Sequence, residues 1–163
     1  MNLKETILQF LAGEGNGPTG FALITKDNGY SNDCGEISRS ILDNDESNSN
    51  FSLEIADTDK ESFGPEIGNL QQVTMNLMII GYIKGVTDVE SAKTDFQADI
   101  KRCIHLHDPQ FRGVSNLWPA AIRDSVKYFG LVIGDNQMEL AEDSEAIFTI
   151  GCELIYYYEK TAP

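Results

Sequence analysis

Gln71 to His107 reads QQVTMNLMIIGYIKGVTDVESAKTDFQADIKRCIHLH, and its periodicity decides the fold. From Val73, apolar residues recur at every second position: Val73, Met75, Leu77, Ile79, then Gly81 and Ile83. Gln72, Thr74 and Asn76 fall on the other side, the pattern of a strand with one face on a core. At Met78, Ile80 and Tyr82 the second face turns apolar as well, which predicts burial on both sides there. Gly85 closes the strand, and the period changes. Thr87-Asp88-Val89-Glu90 has the spacing of a capping box, with Thr87 as N-cap and Glu90 reaching back. Val89, Ala92, Phe96, Ile100, Cys103 and Ile104 then recur at helical spacing, opposite Lys93, Asp95, Gln97 and Lys101. Pro109 stops the helix. The stretch is a strand feeding an amphipathic helix that lies back on a sheet.

Outward from it, the N-terminal Asn2-x-x-Glu5 resembles a helix start, with Leu3, Ile7, Leu8 and Leu11 as its apolar stripe and Gly13 as its stop. The glycine-rich run 13–20 reads as a connector and Phe21–Thr25 as a short strand. Residues 31–50 read as a polar loop, in which 36–42 can form a helical turn. Phe51–Ile55 alternates as a strand, and 57–69 reads as a second polar loop, acidic and holding Gly64-Pro65. After Pro109 the expected order is a loop, with 120–128 open to a short helix or an extended form. A strand over 128–133 follows, then an acidic loop and a long last strand over 146–158. The order α-β-β-β-α-β-β predicts an α+β domain: a mainly antiparallel or mixed β-sheet with two helices packed on one side.

A chain of 163 residues has room for one domain with a core, here 1–163, and is short for two. No apolar run reaches the roughly 18 residues that span a bilayer. The start MNLKETILQFLAGEG lacks the basic and apolar parts of a secretory signal, so no membrane and a cytoplasmic site of assembly are expected. Twelve basic residues among 26 acidic ones, a net charge of -14, exclude a general nucleic-acid-binding surface, which needs clustered cations. The acidity suits any soluble protein, and equally a surface that repels passing DNA. Cys34, Cys103 and Cys152 form no paired motif; Cys103 and Cys152 fall on apolar faces, as small core residues do.

Chemistry is thinly represented. His105 and His107 could serve a small metal-dependent enzyme, but two positions on a helix diverge by roughly 200°. No second Cys/His cluster completes a metal site, and a helix C-terminus favours histidine for its dipole alone. The glycines of 13–20 follow a helix and lack the closing Gly-Lys-Ser/Thr of a phosphate loop. The carboxylates of 43–46 and 57–59 lack the spacing of a calcium loop. No Ser or Cys sits in a nucleophile motif. The expectation is a protein that is not an enzyme and holds no cofactor or metal. Tyr156-Tyr157-Tyr158 puts rings on both faces of the last strand, aromatic area of a kind enriched at interfaces.

In the order of its elements the chain resembles the tail terminator proteins of long-tailed bacteriophages, also called minor tail or tail-completion proteins. The resemblance spans roughly residues 50 to 159. It lies in the strand ending Ile79-Ile80-Gly81-Tyr82-Ile83-Lys84-Gly85, in the helix with Ala92, Phe96, Asp99 and Ile100, and in the terminal strand 146–158 after an acidic loop. What it implies is a structural virion protein. Such subunits form a homohexameric ring that caps the tail tube, stops its polymerisation and joins the tail to the neck of the head. DNA passes through the lumen without specific binding. The implied partners are the chain itself, the tail tube protein, neck or connector proteins and the tail sheath; another head–tail connector is the neighbouring reading. Residues 31–50 and 111–130 have no counterpart in that pattern. A ring of identical subunits needs one patch to meet a different patch on its neighbour. The candidates are Tyr157 and Glu159 on the last strand, and Asp57, Asp59 and Glu61 in the acidic connector.

Overall fold

The computed structural model describes residues 2–14, 17–40, 49–111, 117–132, 139–142 and 144–160. The protein is α+β. Six strands form one mixed sheet: β1 (Glu36–Ser38), β2 (Phe51–Ile67), β3 (Leu70–Ile83), β4 (Val126–Leu131), β5 (Glu139–Glu142) and β6 (Glu145–Glu159). Their order is β1-β2-β3-β6-β4, with β5 also on β6; β1 runs parallel to β2 and every other pair is antiparallel. Two main helices, α1 (Leu3–Leu11) and α2 (Val89–His107), pack on it, and α3 (Ala120–Arg123) is a single turn before β4.

The period-two pattern of β3 is realised: Val73, Met75, Leu77, Ile79, Gly81 and Ile83 are all buried. Opposite them on β6 stand Tyr156, Leu154, Cys152, Ile150, Phe148 and Ala146. These residues join Leu53 and Ile55 of β2, Phe129 of β4, Ile7, Leu8, Phe10 and Leu11 of α1, and Phe96, Ile100, Cys103 and Ile104 of α2 in one apolar cluster. Both helices therefore cover the same sheet face. On the other face Met78 and Ile80 are only half-buried, less than their sequence implied, and Tyr82 is buried with its hydroxyl donating to Glu54 Oε1 at 3.1 Å. Among the described residues no helix lies over that face in the cluster, and none is long and apolar enough to cross a membrane.

Several expectations change. The 57–69 loop is mostly strand: β2 continues through it to Ile67 and turns at Gly68-Asn69 into β3. Its acidic, Gly-Pro-containing sequence is accommodated by irregular pairing. Asp57 faces Leu77 and Glu61 faces Met75, so β2 spends two extra residues; Phe63 faces Val73 and Glu66 faces Gln71, which spends one more. Pro65 sits in that second bulge, where no ladder N–H is required. Within 31–50, Glu36–Ser38 is a strand and not a helical turn, because its backbone pairs with Ser52–Glu54; residues 41–48 lie outside the described residues. Phe21–Thr25 is not a strand; Gly20–Leu23 forms a 3-10 turn against α1. The N-cap of α2 is Asp88, whose Oδ1 accepts the Ser91 N–H at 3.2 Å, one residue beyond Thr87. A carboxylate there also suits the positive end of the helix dipole better than a hydroxyl. Asn2 caps α1 as its sequence implies, accepting the Glu5 N–H at 3.2 Å.

Candidate interaction surface

The end of β2, the start of β3 and the end of β6 meet at one end of the sheet, where Ile67 faces Leu70 and Leu70 faces Glu159. The hairpin tip is tied to the end of β6 by polar bonds. Lys160 N–H donates to Asn69 O at 2.8 Å, and its ammonium pairs with Glu66 at 2.7 Å. Tyr157 O–H donates to Gln72 Oε1 at 2.7 Å across the β3–β6 ladder. These bonds hold apolar side chains that have no cover. Phe63 is 65% exposed, Ile67 62% and Tyr158 36%. Scattered exposed apolar residues are ordinary, whereas several at one end mark a contact surface.

Two clefts open at the same end. The larger, about 710 Å³, runs between Asn2–Lys4 of α1, Asp124–Ser125 and the Tyr156–Glu159 end of β6. The smaller, about 400 Å³, lies among Ile67, Leu70, Gln110, Lys127 and Tyr157. Lys127 lines both, is exposed, and has no ion-pair partner among the described residues.

The structure places Tyr157 and Glu159 at this end, and Asp57 and Glu61 further along β2, opposite Leu77 and Met75 of β3. Tyr157 is half-buried and lines both clefts, and Glu159 is exposed beside it. Asp57 and Glu61 lie on β2 and meet at one cation: Lys4 Nζ is 2.8 Å from Asp57 and 2.5 Å from Glu61. Asp59 belongs to the bulge between them, and its side chain lies outside the described residues. Sequence reading missed Lys4, which joins the two sets by lining the larger cleft while holding both carboxylates. It missed Phe63 and Ile67 too, because they sit in what read as a polar connector. Burial alone would pull the Lys4 pKa down, but the bonds from Asp57 and Glu61 outweigh it and hold the ammonium above its ordinary range. Lys4→Met keeps the aliphatic stem and removes the charge, leaving two carboxylates facing each other. We expect a loss of about 1 kcal/mol in urea unfolding at pH 7, shrinking in 1 M salt. A loss unchanged by salt would mean the charge is not what matters.

The two histidines do not converge. His105 is exposed, edge-on to Phe111 with ring centroids 4.0 Å apart, while His107 turns into the core against Phe10 and Trp118. Cys103 and Cys152 are buried as their apolar surroundings imply, and burial pushes the Cys103 thiol up to about 12. Among the described residues no three metal-capable side chains cluster. Compared with known proteins, the chain matches no family model and no curated protein.

Proposed function

We propose that the protein is a structural subunit that assembles with itself into a ring, in the manner of the phage tail terminators it resembles. Such a ring caps a tail tube and joins it to the neck, with DNA passing through its lumen. The observation that supports this reading is the concentration of exposed apolar side chains and open clefts at one end of a rigid sheet. Tyr158 and Ile67 stand uncovered on the walls of two clefts that share Leu70 and Tyr157, and Phe63 is uncovered on the same hairpin. A monomer gains nothing from holding such groups in water, whereas a neighbouring subunit or a tube end would bury them. The net charge of -14 suits a lumen that DNA slides through, since like charges prevent sticking.

Native mass measurement and electron microscopy of the purified protein test this. A hexameric ring with a central hole supports the terminator reading, and a twelvefold ring favours a head–tail connector. A protein that stays monomeric both alone and with tail tubes removes the proposal. Phe63→Asp with Ile67→Asp should leave the fold intact, because both side chains are already in water, and should reduce the assembly to monomers. Adding Glu159→Lys tests the last strand in the same way; an unchanged assembly would put its contacts elsewhere.

A further inference from the structure

The chain's single tryptophan, Trp118, packs on a histidine that the fold strips of half its hydrogen bonding. His107 is 1% exposed at the end of α2. Its Nδ1 lies 2.8 Å from the Cys103 carbonyl oxygen one turn back. A carbonyl only accepts, so Nδ1 carries the proton and Nε2 is left as a bare lone pair. Nε2 is buried without a hydrogen-bond partner among the described residues. Around the ring stand Phe10 of α1, edge-on at 5.8 Å, and Trp118, nearly perpendicular at 5.9 Å. Trp118 in turn stacks on Phe10 at 4.6 Å and donates its indole N–H to the His107 carbonyl at 2.6 Å. The imidazole is thus the common wall of α1, α2 and the segment before β4.

Among the described residues no charged group bonds His107 Nε2, and on α2 itself Asp99 accepts the Ser31 and Asn32 N–H groups while Arg102 donates to the Gly29 carbonyl. On α1, Lys4 faces Asp57 and Glu61, and Glu5 faces Arg39. Past α2, Asp108 accepts the Gln110 N–H at 3.1 Å and the Phe129 N–H at 3.4 Å. On the following segment Arg123 donates its Nε–H to the Trp118 carbonyl at 3.0 Å. Cys103 Sγ lies 3.7 Å from Nδ1 as a neutral thiol.

We propose that this junction is an acid-released latch: a proton on His107 Nε2 makes an unpaired cation among Phe10, Trp118 and Cys103, and α1 undocks to let it reach water. The sign follows from burial, which holds the folded His107 pKa below its ordinary 6.5. Between that ordinary value and the lowered folded one, the opened form binds the proton and the closed form does not, so closure weakens as pH falls through this window. Above 6.5 closure is at full strength. Opening moves more than the aromatic cluster, because the first residues of α1 wall the larger cleft and carry Lys4. Acid would therefore alter the interaction end as well, whatever assembles there.

Trp118 reports the latch directly, and the full chain titrated from pH 7.5 to 5.0 is the experiment. Its fluorescence should change with a midpoint below 6.5, and amide exchange in α1, corrected for intrinsic rate, should rise about tenfold per pH unit. His105→Gln, at the exposed histidine, should keep the transition, and His107→Gln should abolish it. Since the second variant can fail to fold, proton NMR of the two imidazoles in the wild type gives an independent reading. His105 should titrate in the ordinary range and His107 below it, together with the Trp118 indole resonance. A His107 that titrates near 6.5 with Trp118 and α1 unmoved overturns the proposal, as does a Trp118 signal flat to pH 5.0.

Discussion

Replacing Gly20 with alanine should destabilise the protein by about 3 kcal/mol, shifting its urea midpoint down with little change in slope. Gly20 opens the 3-10 turn that seats on the C-terminal end of α1, and its φ is +57°. A Cβ there would stand 2.5 Å from Leu11 Cα, 2.5 Å from the Phe10 carbonyl oxygen and 2.6 Å from that of Leu11. All three are backbone atoms of a packed helix, so none can rotate away. The Thr19 hydroxyl donates to the same Phe10 carbonyl at 2.8 Å, which leaves the contact no slack. Overpacking of this kind costs about 1–3 kcal/mol, and a left-handed φ adds about 1 more for any residue with a Cβ. Gly17 supplies the control. It has a φ of +82° and nothing within 4 Å, so its alanine variant should lose only the conformational part, about 1 kcal/mol. Equal losses at the two sites would show that the close approach of the turn to α1 is not what Gly20 provides.

Phe148→Ala should cost more, about 3–5 kcal/mol. The ring is fully buried on β6, edge-on to Phe96 of α2 at 5.9 Å, and Phe96 meets Phe51 of β2 at 5.1 Å. It joins the sheet to the helix. Its place depends on the residue directly across the ladder, Gly81, since a Cβ at that position would run into the Phe148 ring. Gly81→Ala alone should therefore destabilise by about 1–3 kcal/mol. In the Phe148→Ala background the same methyl would enter vacated space and cost far less. A double-mutant cycle over the pair should show a coupling above about 1 kcal/mol; losses that simply add would mean the ring does not rest over the glycine.

The organising strand and helix were legible because their periodicities answer to one surface each. Every second residue of β3 meets the core, and the apolar stripe of α2 meets the same core from above. The last strand was legible for the same reason. What sequence concealed was structure imposed from a distance. Asp57 to Ile67 carries charge, Gly64 and Pro65 and has no propensity for a strand, yet β3 offers it a ladder and bulges absorb the residues that do not fit. Phe21 to Thr25 has strand composition, but Gly20 must touch α1 and the chain turns instead of pairing. At the candidate surface, Tyr157 and Glu159 could be read from the terminal strand, and the divergence of His105 and His107 from helix geometry. Lys4 could not, since its carboxylate partners lie more than fifty residues away along the chain and no local signal joins them.

The unequal lengths of the first hairpin have one more result. β2 spends 17 residues against the 14 of β3, so its ladder is cut into the short runs 51–57, 61–63 and 66–67. Beyond Glu54 no strand among the described residues pairs with its outer side. A straight edge of that length would be a template on which other chains could stack into fibrils. Broken by its bulges and lacking a donor at Pro65, the edge presents no flat run longer than a few residues. The same irregularity that hid this strand from sequence reading denies a second copy of the chain a continuous edge to pair with along β2.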